Sequence, residues 1–106
     1  IGTDLEIQLR RAKISRLAIV GFFTNFCVET TTRMAGNLGF DTYLIEDCCS
    51  TSNRIGPDGV DRDPELVHAM TVANLHGEFC TAIKFADALG LVTADNNQLT
   101  RCQGNE

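Results

Sequence analysis

The sequence predicts an α/β domain with parallel strands, and three features predict it. Short apolar runs at 17–20, 42–45 and 79–83 alternate with longer stretches of helical spacing at about 27–38 and 63–76. The connections between the runs are long enough to hold those helices, as parallel neighbours require. Residues that start or stop helices fall between the stretches rather than inside them. Together these imply a right-handed βαβαβ unit.

At 106 residues there is room for one domain with a modest core. An apolar share of 43% and a charged share of 22% are ordinary for a globular domain. A net charge of −5, with its acidic residues spread out, argues against nucleic acid or an anionic membrane as a partner. No apolar run approaches the roughly 20 residues of a membrane helix. The five cysteines are odd in number, include the adjacent Cys48 and Cys49, and show no paired C-x-x-C spacing. Reduced thiols in a cytoplasmic protein are therefore expected, rather than a disulfide framework or a zinc site. Nothing in the sequence calls for a metal or a cofactor.

In chain order, Thr3-Asp4-Leu5-Glu6 fits a capping box with Thr3 as N-cap. Leu5, Leu9 and Ala12 share a face of the helix that follows, and Arg10, Arg11 and Lys13 suit its last turn. Leu17–Val20 reads as a buried strand leading into Gly21. Thr24 and Asn25 can both cap a helix running to Leu38, with Val28, Thr31, Ala35 and Leu38 inward and Gly39 as its left-handed stop. Three successive threonines are poor helix formers, so packing must override propensity there. Glu29 is expected to point toward Arg33 at i+4, with substrate contact as the alternative role for Arg33.

Thr42–Ile45 is the second strand, with Asp47 at its end as a turn cap or a pocket residue. Residues 50–63 read as a long loop, of the kind that forms lids or interfaces, from which Arg54 or Arg62 could reach a substrate or a neighbouring subunit. Asp63-Pro64 starts a helix with Leu66, Met70 and Ala73 inward, flanked by Val67, and Gly77 ends it. His68 and His76 are read as surface or interface residues remote from Cys27. Phe79–Ile83 is the third strand, Phe85–Leu89 a short helix closed by Gly90, and the polar remainder from about Thr93 frays.

The chain is organised around Gly21–Thr30, where a strand turns into a helix and Cys27 sits near the first turn. Free N–H groups and the helix dipole favour negative charge there, which suits a thiolate nucleophile and the oxyanion formed when it attacks a carbonyl. The plainer reading is that Cys27 is inert packing, as most buried cysteines are.

The block Thr24-Asn25-Phe26-Cys27-Val28-Glu29-Thr30-Thr31-Thr32-Arg33-Met34-Ala35, then Leu38-Gly39-Phe40 and Glu46-Asp47-Cys48-Cys49, resembles the isochorismatase-like cysteine hydrolases. The resemblance runs from Thr3 to about Leu89. It implies a three-layer, doubly wound, Rossmann-like parallel sheet of six strands, of which these are the last three. The chain would then be the C-terminal part, 1–106, of a single hydrolase domain whose N-terminal half is absent, and its apolar edge strand would be covered by that half or by another chain.

The resemblance also implies Cys27 as nucleophile and a cis Phe22–Phe23 peptide. The Phe23 and Cys27 backbone N–H groups would form the oxyanion hole. The aspartate and lysine of the family's triad have no match here; Lys13 and Lys84 are the only lysines and neither fits. The zinc that some relatives carry would likewise be held upstream. The implied activity is thioester-forming hydrolysis of a small amide or ureido substrate by a homo-oligomer. True isochorismatases cleave a vinyl ether and lack this cysteine, so Cys27 points to C–N bonds. A non-catalytic binding protein of the same fold is the alternative.

Overall fold

A computed structural model of the chain describes residues 2–93. Three parallel strands form its main sheet in the order β1-β2-β5: β1 (Arg16–Phe22), β2 (Asp41–Ser50) and β5 (Thr81–Ile83). Helices flank it: α1 (Leu5–Arg11) before β1, α2 (Glu29–Asn37) between β1 and β2, and α3 (Pro64–Leu75) before β5. Residues 85–93 are helical and are called α4. The loop after β2 is not bare: β3 (Arg54–Ile55) and β4 (Asp61–Arg62) pair as a small antiparallel hairpin. Among the described residues no helix is long and apolar enough to cross a membrane.

The core sits between β2 and the two helices α2 and α3. Val28, Leu44, Leu75 and Cys80 are buried together, with Ile19, Cys49, Val72 and Phe79 packed around them. β1 is an edge, and its alternate residues Val20 and Phe22 are 57% and 69% exposed. One face of that strand is therefore apolar and uncovered among the described residues.

Helix punctuation follows local chemistry. Asp63 caps α3 by accepting the Leu66 N–H at 2.8 Å, with Pro64 in first position. Gly39 and Gly77 take positive φ after α2 and α3. Gly36 has a different purpose. A Cβ there would lie 2.9 Å from the Phe79 Cα and closer still to its carbonyl oxygen, so α2 can approach the lead-in to β5 only because no side chain intervenes.

Several expectations need correction. α1 begins at Leu5 with Asp4 as N-cap and no side-chain cap bond; Thr3 accepts only the Leu5 N–H, and Glu6 faces Arg10 at 3.9 Å. No residue of α1 is buried; Leu5 and Leu9 line an apolar groove of about 270 Å³ with Met34, Leu38 and Phe40. On α2 the inward threonine is Thr32, not Thr31, and Leu38 is exposed. Thr32 can be buried because its hydroxyl donates to the Val28 carbonyl at 2.7 Å.

The face of α3 is also reversed. Thr71 and Leu75 are buried, while Leu66 and Met70 are 48% and 54% exposed and Ala73 is exposed too. Apolar residues occur all round this helix, so spacing alone does not choose a face. β2 runs on through Asp47, Cys48 and Cys49 to Ser50, and its register against β1 jumps between Ile19–Leu44 and Gly21–Cys49. β5 starts at Thr81, two residues later than expected. Gly90 does not close α4, which is helical through 93. The polar tail after Thr93, and Cys102 within it, lie outside the described residues.

Candidate active site

β1 carries the chain to Gly21, whose φ of 134° is accessible only to glycine. The Phe22–Phe23 peptide that follows is cis, as the resemblance implied. A single π-helical turn, Thr24–Val28, then leads into α2, with Phe26 out of helical geometry at φ −119°, ψ −106°. Phe23 is the residue before this turn, and neither Thr24 nor Asn25 caps it.

Their side chains anchor the turn instead. Thr24 is fully buried and its Oγ1 lies 2.9 Å from the Nδ1 of His68 on α3. Asn25 accepts a hydrogen bond from the Thr51 hydroxyl, just past β2. Val28 is buried in the core. With Thr24 and Val28 held inward, Cys27 is left exposed, and its thiol faces the Phe22 carbonyl at 3.7 Å. The expectation that His68 lies far from the cysteine turn is therefore overturned, since it braces that turn from the opposite helix. No local pattern announces this contact, because the partners are 44 residues apart.

The other cysteines have different surroundings. Burial pushes the Cys49 thiol above its ordinary pKa, with the neighbouring Cys48 and Asp47 adding and a Gly21 backbone hydrogen bond opposing. Burial likewise raises Cys80. Cys48 is exposed. Asp47 proves to be a cap, accepting the Phe85 N–H at 2.8 Å at the start of α4. Lys84 pairs with Glu46, whose hydrogen bond holds the ammonium above its usual range. Arg33 pairs with Glu29 at 3.3 Å, the surface pair expected, and also stacks over Phe79. His76 Nδ1 accepts the Ala82 N–H at 3.0 Å, which places its ring proton on Nε2 when neutral. Among the described residues no group of three or more His, Cys, Asp or Glu is placed to hold a metal.

The fold and the turn together define the class: a parallel α/β protein with an exposed thiol at the carboxyl end of its edge strand, the side of such sheets where ligands gather. Residues 1–86 match the isochorismatase domain, and the chain belongs to that family.

It is 43% identical over 83 residues to the uncharacterized isochorismatase family protein YrdC of Bacillus subtilis, covering 78% of this chain and 44% of that protein. A solved isochorismatase-family structure from Chromobacterium violaceum superposes with a TM-score of 0.83 at 46% identity, over 85% of this chain and 47% of that one. The ureidoacrylate amidohydrolase RutB of Agrobacterium fabrum is 28% identical over 92 residues, 87% of this chain and 36% of RutB. The chain thus spans less than half the length of the curated relatives it matches.

Proposed function

We propose that this chain is the nucleophile-bearing C-terminal part of a small-amide hydrolase domain. The observation that carries the reading is the exposed Cys27 thiol on a turn fixed from two sides by Thr24 and Asn25. The similarity to a protein named as an amidohydrolase supports C–N bonds as the target.

In this reading the Cys27 thiolate adds to an amide or ureido carbonyl, and the Phe23 and Cys27 N–H groups hold the oxyanion. Collapse of the tetrahedral adduct breaks the C–N bond. The amine leaves with the proton that the thiol gave up, carried by an acid–base residue outside these 106 residues. Water then attacks the thioester carbonyl, releasing the acid and restoring the thiol. The four free thiols among the described residues suit a cytoplasmic setting, and the uncovered face of β1 suits further chain or a second subunit closing the pocket.

The test is Cys27→Ala and Cys27→Ser in the full-length protein, assayed against a panel of small amides and ureido acids. Loss of at least about a thousandfold in kcat/KM is expected. Hydrolysis that persists in both variants overturns the proposal.

A further inference from the structure

Two other buried threonines satisfy their hydroxyls within their own helix. Thr32 donates to the Val28 carbonyl at 2.7 Å and Thr71 to the Val67 carbonyl at 2.9 Å, each four residues back. Thr24 opens its turn, so four residues back lies Val20 of β1 and no helical carbonyl. Its fully buried hydroxyl turns instead to another element, meeting Nδ1 of His68 on α3.

That contact bears on the residue before it. The Phe23 carbonyl accepts the N–H groups of Phe26 at 3.0 Å and of Val28 at 3.4 Å. The Phe23 N–H meets no acceptor among the described residues. The turn therefore holds the oxygen of the Phe23–Thr24 peptide, and His68 holds the side chain at its far end. With only two soft dihedrals at each residue, fixing that peptide leaves the Phe23 N–H little freedom of direction. Asn25 and Thr51 secure the turn further along, on its other side.

We propose that His68 is a positioning residue for the reaction at Cys27: through Thr24 it aims the Phe23 N–H at the carbonyl oxygen that gains charge when the thiolate adds. The assignment rests on Cys27 being the nucleophile. It goes beyond that reading by giving a residue on another helix a part in the transition state. A donor aimed where charge develops speeds addition to a carbonyl. It has no part in displacement at a saturated carbon, where no oxyanion forms.

Two reagents separate these cases without knowledge of the natural substrate. With p-nitrophenyl acetate, the Cys27 sulfur bonds to the carbonyl carbon, the C–O bond breaks and p-nitrophenolate leaves. With iodoacetamide, the sulfur bonds to the methylene carbon and iodide leaves. In the full-length protein, acylation is the initial rate of p-nitrophenolate release less that of Cys27→Ala. Alkylation at Cys27 is read by peptide mass spectrometry.

His68→Leu should lower acylation at least about tenfold and leave alkylation within about twofold of wild type. The site is half-buried beside an open groove of about 380 Å³, so loss of the ring seals no cavity. His68→Asn sets an amide where Nδ1 stood and should return acylation to within about threefold of wild type. Thr24→Val breaks the contact from its other end and should show the same selective loss, with His68→Leu adding nothing further to it.

Acylation unchanged in His68→Leu, equal falls in both rates, or a loss that His68→Asn does not recover overturns the proposal. Failure of the nucleophile reading looks different: Cys27→Ala would then release p-nitrophenolate as fast as wild type, and both readings would fall together.

Discussion

The brace between Thr24 and His68 gives a prediction whose size follows from burial. Thr24 is 0% exposed and its hydroxyl meets His68 Nδ1 at 2.9 Å. Replacing His68 by Ala strands that hydroxyl, at a cost of about 1–3 kcal/mol. It also removes the packing of a part-buried ring, worth about another 1 kcal/mol. Replacing Thr24 by Val keeps the shape and deletes the hydroxyl. The orphaned Nδ1 then belongs to a ring lining an open groove of about 380 Å³. Water can reach it there, so the cost is only about 0.5–1.5 kcal/mol.

The double variant has no stranded hydroxyl and should be less destabilised than the sum of the two by about 1–2 kcal/mol. Thr32→Val is the control. That hydroxyl is equally buried but bonds within its own helix, and its loss should cost less than about 1 kcal/mol. Urea unfolding of the four variants in the full-length protein measures all of these. A coupling energy between positions 24 and 68 below about 0.3 kcal/mol would refute the reasoning, because the contact would then carry no energy.

Two further predictions concern packing and pH. Gly36→Ala should destabilise the protein by about 1–3 kcal/mol, read as a lower urea midpoint, since the new methyl meets the Phe79 backbone rather than a movable side chain. Burial disfavours the charged form of Cys49 and Cys80, so near neutral pH their thiolate fraction lies below that of a free cysteine. Iodoacetamide at neutral pH should therefore label the exposed Cys27 before the part-buried Cys49 or the buried Cys80, and labelling of those two should catch up only as the pH rises; equal rates at pH 7 would contradict that.

Much of the architecture was legible because it is written in local chemistry. Asp63-Pro64, Gly39 and Gly77 bound helices through backbone constraints that any neighbourhood would obey. The strand-to-helix passage at Gly21–Thr30 was legible for the same reason, together with the resemblance carried by its residues. What failed depended on distant partners. α3 carries apolar residues on every side, so the sheet, not the sequence spacing, decided that Thr71 and Leu75 face inward while Leu66 and Met70 do not. Thr24 and Asn25 have the right side chains for caps, yet His68 and Thr51 compete successfully for them. The sequence leaves Asp47 between a turn cap and a pocket residue; it caps, but the amide it serves lies 38 residues downstream, beyond the reach of any local rule.

That last contact bears on the sequence of events in folding. A short helix at 85–93 whose leading amide is met by a strand carboxylate cannot settle its own beginning. It has to wait until β2 is in place and the chain has come back through α3 to lie alongside it. The segment should accordingly be a late passenger, gaining hydrogen-exchange protection after the central strand and losing it first when that strand loosens.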